Sequence, residues 1–227
     1  MVHEKNSFIQ GLLENISLDM SLAAEEDRRE QAARLYSVYN AAIKDVGTRL
    51  EIISDEFAAM RDHNPVHHIE KRLKTPKSIL EKMEKKKIAV SIENMTKYIT
   101  DIAGLRVVCH YVEDIYELAE LLLSQNDIVL LRRSDYIEKP KESGYRSLHL
   151  IIQVPIAIAS VTEYIPAEVQ IRTQAMDIWA CFEHEIKYKS SNVISEEVAR
   201  KLKSSATILS NVDFDMDSLI RYFRMRK

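Results

Sequence analysis

Between about Arg28 and His63, hydrophobic residues recur at steps of four and three, which places them on one face of a 3.6-residue helical period. Gly47 falls inside this segment, where glycine costs about 1 kcal/mol relative to alanine, and the pair Asn64-Pro65 terminates the pattern. We therefore predict one long helix over 28–63, preceded by a shorter helical arm within residues 1–27. The hydrophobic positions are Leu35, Tyr39, Ile43, Val46, Leu50, Ile53, Phe57 and Met60.

After this helix, amphipathic segments alternate with short apolar runs. The amphipathic segments predict helices over 76–87, 93–100, 113–124, 175–188 and 195–226. The apolar runs predict strands over 105–112, 128–133, 147–154 and 161–171, the last as one or two strands because Pro166 interrupts it. Some neighbouring strands lack a crossover helix between them. We therefore expect an α/β (α+β) fold with a mixed sheet of four to five strands flanked by helices.

Composition places the chain among globular proteins, since 46% of its 227 residues are hydrophobic and 30% are charged. The longest apolar runs fall short of the roughly 20 residues of a membrane span, and the first residues lack a signal-peptide pattern. The sequence therefore predicts a soluble, cytoplasmic protein with no membrane partner. Cys109 and Cys181 both lie in apolar segments and are predicted to be buried thiols rather than a disulfide.

The scarcity of glycine excludes the common phosphate-binding loops. The four glycines form neither G-x-G-x-x-G nor G-x-x-x-x-G-K-[ST], so a dinucleotide-binding Rossmann motif and a P-loop are both ruled out. The net charge of −3 argues against a general nucleic-acid binder. Any phosphate site must therefore be a local cluster of arginine and lysine side chains. The seven histidines and two cysteines show no zinc-type spacing, so we expect no structural zinc.

The segment 72–82 combines basic residues with a hydroxyl group. Ser78 and Lys82 are four residues apart and share one face of the helix predicted to begin near Pro76. Arg72 and Lys74 precede the N-terminus of that helix, where free backbone N–H groups favour anions. The segment could hold a polyphosphate, or it could be an ordinary solvated basic surface.

Two further segments carry residue types suited to a metal or a nucleotide. Asp101 lies at a helix–strand junction, a common position for a metal-binding carboxylate, although it could simply end the helix and leave Arg106 on the surface. In the loop 139–149, Gly144 and Tyr145 can present an aromatic ring flanked by cations, as in nucleobase sites. An ordinary hairpin loop with a packed tyrosine is the alternative.

Alternation along the strand predicted over 161–171 puts Glu168, Gln170 and Arg172 on the same side. These three polar residues could form part of a site or decorate a solvent-exposed edge. On the following helix, Trp179 and Phe182 are better explained as core residues than as cofactor contacts.

Five motifs occur in order along the chain: R-x-K-x-x-x-S-I-x-x-K at 72–82, D-I-A-G-L-R at 101–106, Y-I-x-x-P-K-x-S-G-Y-R-S-L-H at 136–149, E-V-Q-I-R-T at 168–173 and W-A-x-x-E-H at 179–184. Together they resemble the synthetase domain of the Rel-type (p)ppGpp synthetases. Chain length and the helical ends resemble the stand-alone small alarmone synthetases, with no room for a hydrolase domain. The resemblance implies a nucleotidyltransferase-like core over 63–190 between helical regions 1–62 and 191–227.

The reaction implied by the resemblance is attack of the 3′-hydroxyl of GDP or GTP on the β-phosphorus of ATP, with AMP as the leaving group. Asp101 and Glu168 resemble the Mg²⁺ carboxylates, and we take Glu168 as the acceptor of the hydroxyl proton. The residues that by resemblance bind ATP are Arg72 and Arg106, one on each face of the adenine, and Lys74, Ser78 and Lys82 at the phosphates.

For the acceptor nucleotide, the resemblance implies guanine stacking on Tyr145 and 5′-phosphates held by Lys141 and His149. Asp177 is expected to read guanine, because a carboxylate can accept from N1–H and the 2-amino group together. Ser143 departs from the asparagine frequent in longer family members. The supporting residues are Arg146, Gln170 and Arg172.

Two alternatives stay open at this point: a toxin-type pyrophosphotransferase acting on tRNA or adenine nucleotides, and a non-enzymatic RNA-binding module. Asp101 and Glu168 argue against a pure polyanion binder, and RNA is a partner that no feature of the sequence indicates. The sequence does not separate GDP from GTP. The spare apolar positions of the last helix, and the resemblance, predict a homotetramer held by the N- and C-terminal helices.

Overall fold

The computed structural model describes residues 2–14, 22–60, 63–158, 160–189 and 194–226. Within these ranges the chain forms seven helices and one five-stranded sheet, as the mixed-sheet prediction requires. The elements in chain order are α1 (Val2–Leu13), α2 (Leu22–Met60), β1 (Val66–Leu73), α3 (Pro76–Lys85), α4 (Ile92–Tyr98), β2 (Ala103–Cys109), α5 (Val112–Leu123), β3 (Val129–Asp135), β4 (Leu148–Ile158), β5 (Val161–Thr173), α6 (Gln174–Lys189) and α7 (Glu196–Arg224).

The sheet order is β1-β2-β5-β4-β3, so β5 is the central strand. β2 and β5 run parallel, whereas the other three neighbouring pairs are antiparallel. Alternate residues of β5 divide the two faces: Val169 and Ile171 are fully buried in the core formed with α2 and α5, whereas Glu168 and Gln170 are only partly buried. One face of the sheet therefore carries the core and the opposite face presents polar side chains.

The long helix α2 is confirmed, and seven of its eight predicted apolar positions are buried. The exception is Met60, at the last turn, which is 78% exposed. A Cβ atom built at Gly47 would lie 2.3 Å from Cε of Lys71. Because Cε is near the free end of a flexible side chain, a methyl group at this position would require only that Lys71 shift.

Strand β1 is absent from the sequence-based prediction. It is an edge strand of mostly polar, partly or fully exposed residues, so it lacks the apolar alternation that marks a half-buried strand. β5 is longer than predicted, since it continues through Pro166 as one strand. Pro166 pairs with Gln153 of β4, while pairing with β2 begins only at Ala167. The missing N–H of the proline therefore breaks no ladder on the β2 side.

Helix α3 has well-formed ends. Thr75 caps its N-terminus by accepting a hydrogen bond from the backbone N–H of Ser78, and Pro76 occupies the first turn. At the C-terminus, the N–H of Ile88 bonds to the carbonyl of Met83 at 2.9 Å, the pattern of a Schellman motif. Lys87 supplies the left-handed residue of this motif, with φ of 56°.

Helices α6 and α7 pack together beside the sheet. The indole of Trp179 is buried against Leu202 and donates to its carbonyl at 2.8 Å. Two predictions on α6 are wrong: Phe182 is 59% exposed and Cys181 is exposed, whereas Cys109 is buried as predicted. The buried stripe of α6 is narrower than predicted, because it follows Met176, Trp179 and the partly buried Ile186, and Phe182 lies off this line.

The outer face of α7 is rich in exposed hydrophobic side chains. Its inner stripe, which includes Leu202 and Ala206, is buried as predicted. No helix of the described segments combines the length and the hydropathy that crossing a membrane requires. The outer hydrophobic residues, all between 41% and 71% exposed, are Ile208, Val212, Phe214, Met216, Leu219, Tyr222 and Phe223.

Candidate active site

Asp101 lies in the turn between α4 and β2 and faces two lysines. The ammonium group of Lys82 donates to its Oδ2 at 2.6 Å, and that of Lys74 donates to the same oxygen at 3.0 Å. Burial raises the pKa of Asp101, but the hydrogen bonds and charges of the two lysines outweigh it and hold the pKa below its ordinary value. The side chain is therefore an ionised carboxylate at neutral pH.

The second oxygen of this carboxylate is different. Oδ1 of Asp101 is buried and has no hydrogen-bond partner in the part of the chain that the structure describes. Burying a carboxylate oxygen without a hydrogen-bond partner costs folding free energy, so such atoms are often found where a ligand or an ion binds.

Glu168, on the polar face of β5, is the second acid of the site. Its Oε2 accepts from the amide of Gln170 at 2.8 Å, and its Oε1 lies 3.2 Å from Nδ1 of His149. Burial raises the pKa of Glu168, yet the hydrogen bonds of His149 and Gln170 bring it below its ordinary value. The charge of Asp101 acts in the opposite direction, which shows that the two carboxylates share one electrostatic environment.

A hydrogen-bond relay runs from Glu168 to the loop after β3. Because an ionised Glu168 only accepts, Nδ1 of His149 carries the hydrogen. In the tautomer with its hydrogen on Nδ1, His149 accepts at Nε2 from the hydroxyl of Tyr145, 2.8 Å away. The relay connects an acid on the central strand to the aromatic ring predicted to stack on guanine.

Both acids line a cleft of about 180 Å³ on the polar face of the sheet, across β1, β2 and β5. The cleft brings together both acids and several of the predicted ATP-binding residues. Its lining comprises Glu70, Arg72, Lys74, Asp101, Gly104, Leu105, Arg106, Glu168 and Gln170.

Arg106 is held between two acids of different elements. Its Nη1 donates to Oε2 of Glu70 at 2.8 Å and lies 3.7 Å from Oδ1 of Asp177. The same Asp177 oxygen lies 3.1 Å from Nε of Arg172, in contact but without hydrogen-bond alignment. Burial lowers the pKa of Arg172, which is only 2% exposed. Asp177, at the start of α6, thus offsets the positive charges of both arginines.

The loop predicted to bind the acceptor is built around Tyr145. The ammonium group of Lys141 lies 4.7 Å from the centre of its ring and 4.5 Å from that of Tyr136, in cation–π contact with both. Gly144 has φ of 96°, and a Cβ atom there would lie 2.6 Å from Cβ of Ala206. Only glycine therefore lets this loop approach α7.

Two of the predicted residues lie apart from the cleft. Ser78 is at the start of α3, where its hydroxyl accepts from Thr75 at 2.9 Å. Arg146 lies beside α7 and affects the charge state of Asp213. Asp213 is buried, accepts from the hydroxyl of Thr173 at 2.9 Å, and has its pKa raised to about 6, chiefly by burial.

Sequence reasoning missed two residues of the site. Glu70 escaped because β1 was not predicted, so its alternation with Arg72 was not visible. Tyr136 opens the third motif and could have been found as a second aromatic ring for Lys141. Among the described residues, no group of three or more metal-binding side chains exists. A cation held by Asp101 and Glu168 would therefore complete its coordination with ligands from a substrate or water.

Comparison with known proteins identifies one family and two similar bacterial relatives. Residues 71–193, more than half of the chain, match the family model described as the region found in RelA / SpoT proteins. The chain is 40% identical over 179 residues to the GTP pyrophosphokinase YwaC of Bacillus subtilis (strain 168), covering 79% of this chain and 85% of that protein. It is 36% identical over 191 residues to YjbM, a GTP pyrophosphokinase of the same strain, covering 84% and 89%.

The fold agrees with solved structures. The small alarmone synthetase 1 of Bacillus subtilis, crystallised with its product pppGpp, superposes with a TM-score of 0.79 at 34% identity. The superposition covers 85% of this chain and 98% of that one.

Proposed function

The chain belongs to the RelA/SpoT family, as a small alarmone synthetase that transfers pyrophosphate from ATP to GDP or GTP. We propose a role for each residue of the candidate active site in that reaction. The observation that carries the proposal is the cleft itself. Asp101, Glu168, Lys74 and two arginines line about 180 Å³, and Lys82 contacts Asp101 from beside this cleft. Two polyphosphates can meet only where cations and a metal offset their charge.

ATP binds along β1, β2 and α3. Arg72 and Arg106 hold the adenine between their guanidinium planes. Lys74 and Lys82, which neutralise Asp101 in the structure, turn toward the phosphates when ATP enters. Ser78 contributes its hydroxyl from the start of the same helix.

Asp101 and Glu168 are the residues that would hold Mg²⁺. The pair fits this ion because Mg²⁺ takes oxygen ligands and usually keeps only one or two protein carboxylates. The unpartnered Oδ1 of Asp101 is an available ligand atom. When bound, Mg²⁺ neutralises charge on the transferred group and makes the β-phosphorus more electrophilic.

Glu168 accepts the proton of the attacking 3′-hydroxyl. Unlike Asp101, it has no lysine or arginine ion pair among the described residues, so its charge is less neutralised. The new bond joins the 3′-oxygen to the β-phosphorus, and the bond from that phosphorus to the α–β bridging oxygen breaks. AMP leaves with this oxygen. Gln170 and His149 fix the carboxylate in position.

The acceptor nucleotide binds on the other side of Glu168. Guanine displaces the ammonium of Lys141 from the ring of Tyr145, and Lys141 then holds the 5′-phosphates with His149. Asp177 reads guanine from the start of α6. Arg172 keeps Asp177 in place, while Arg146 supports the loop from α7.

The test is transfer from ATP carrying a labelled γ-phosphate, with GDP, GTP, ATP or tRNA as acceptor, followed by thin-layer chromatography. We expect labelled ppGpp and pppGpp only, complete loss with EDTA, and recovery with added Mg²⁺. Label on tRNA or on an adenine nucleotide would assign the cleft to a different acceptor. Transfer that persists in EDTA would remove the metal from the proposal.

We also infer that the chain forms a homotetramer through its terminal helices. The support is the exposed hydrophobic face of α7, where Ile208 is 61% and Phe223 63% exposed. Closed symmetric oligomers commonly bury such faces. Light scattering after size exclusion should give about four times the chain mass of 26.3 kDa, and Phe223→Asp should give smaller species. A 26.3 kDa particle at micromolar concentration would contradict the assembly. The cytoplasmic location stays a prediction.

A further inference from the structure

Glu70 is an acid on the wall of the cleft to which the proposed reaction gives no role. It lies on β1 two residues before Arg72, so the two side chains emerge on the same face of the strand. Its Cα partner across the β1–β2 ladder is Arg106. Glu70 therefore stands beside the two arginines proposed to hold the adenine.

The two oxygens of this carboxylate have different surroundings. Oε2 accepts from Nη1 of Arg106 at 2.8 Å. Oε1 has no hydrogen bond within the described part of the chain, and its contact with Nε2 of His68 spans 3.6 Å, beyond hydrogen-bond distance. The side chain of Glu70 is 51% exposed, so this oxygen is accessible to a ligand.

A carboxylate that faces the 6-position of a purine distinguishes adenine from 6-oxopurines. Ionised, it accepts hydrogen bonds and donates none. Adenine presents a 6-amino donor, whereas guanine and hypoxanthine present a 6-oxo acceptor at the same position. A base stacked on Arg106 has its edge next to the acid that orients Arg106.

We propose that Glu70 accepts a hydrogen bond from the 6-amino group of the donor base and thereby selects an adenine nucleotide as pyrophosphate donor. This inference rests on the proposed placement of adenine between Arg72 and Arg106. The enzyme handles two purine nucleotides that both carry polyphosphates, so phosphate contacts cannot tell donor from acceptor. A polar group at the base edge can, because it leaves the wrong base with an unmet hydrogen bond.

The experiment compares ATP with purine riboside 5′-triphosphate, which differs only in lacking the 6-amino group. Both are measured as donors at saturating GDP. We expect the wild type to favour ATP by about tenfold in kcat/KM, the scale of one hydrogen bond to a charged group. In Glu70→Ala we expect the ratio to fall close to one. Any loss of Arg106 orientation affects both donors equally and cancels in the ratio.

Glu51→Gln is the matched control. Glu51 pairs with Lys71 at 2.7 Å, and Lys71 alternates with Glu70 on β1, so this ion pair lies on the other face of the strand. The control should keep the wild-type ratio. A wild type without preference, or a Glu70→Ala variant with the wild-type ratio, would overturn the inference.

The failure of the underlying proposal has a separate signature. Arg72→Ala and Arg106→Ala should raise KM for both donors. If neither does, the adenine site is misplaced and the proposed function is wrong in its donor half. If both do while Glu70→Ala keeps the wild-type ratio, only the role of Glu70 is wrong.

Discussion

Replacing Asp101 with asparagine removes one negative charge from the cleft and leaves its shape unchanged. The carboxylate is 11% exposed and contacts two lysines at 2.6 and 3.0 Å. An asparagine oxygen can still accept from one of them. The stability cost should therefore be one charge-assisted hydrogen bond, about 1–2 kcal/mol, which corresponds to a fall in Tm of about 2–8 °C for a chain of this size.

The effect on catalysis should be much larger. Asp101 is proposed to hold the metal that offsets charge in the transition state, and losing one such interaction costs about 10²–10³ in kcat. KM for ATP should not rise, because Lys74 and Lys82 lose their acid partner and become more available to the phosphates. A fall in kcat with unchanged or lower KM separates a metal carboxylate from a residue that only binds substrate.

The assay is steady-state transfer of label from ATP to GDP, with thermal unfolding measured on the same preparation. Asp45→Asn serves as control, since Asp45 pairs with Arg49 on α2 at 2.8 Å and does not line the cleft. A kcat within tenfold of the wild type in folded Asp101→Asn protein would refute the assignment of Asp101. The same criterion applies to Glu168→Gln.

Three further predictions address other parts of the molecule. Tyr145→Ala should raise KM for GDP about 5- to 150-fold, since a stacked ring contributes about 1–3 kcal/mol, and should leave KM for ATP unchanged; a rise in KM for ATP alone would show that the pockets are reversed. Lys87→Gly should stabilise the protein by about 0.5–1 kcal/mol, because glycine adopts the left-handed backbone conformation of this position without strain. An unchanged or lower Tm in calorimetry would contradict this prediction. Asp213→Asn should raise Tm at pH 7.5 but not at pH 4. The raised pKa of about 6 means that the folded state binds the extra proton, so Asp213 costs stability as pH rises through that value; an equal shift at both pH values would contradict it.

The helices and buried strands were predictable because their periodicity is strong. The stripe of α2 and the apolar runs of β2 and β4 each match one period over several residues. The ends of β5 and the inclusion of Pro166 within this strand were not predictable. A proline is tolerated there because pairing with the neighbouring strand β2 has not yet begun. That condition depends on the register of another strand, which no local pattern encodes.

The site was predictable as a set of residue types and not as a set of contacts. The motifs indicated Asp101 and Glu168, but the pairing of both lysines with one oxygen of Asp101 depends on how the α4–β2 turn meets α3. Asp177 illustrates the same limit: its contacts with Arg106 and Arg172 join three elements. Exposed Phe182 shows that apolar character alone does not fix burial.

The position of β5 has a consequence for synthesis on the ribosome. The central strand of the sheet is the last of the five to be made, and its parallel partner β2 is complete 64 residues earlier. At elongation rates of about 5–20 residues per second, β2 waits about 3 to 13 seconds for β5 to be synthesised. During that interval the nascent chain exposes one unpaired edge of an apolar strand. Chaperone contact with the emerging polypeptide should therefore concentrate between the completion of β2 and the arrival of residue 173 outside the exit tunnel.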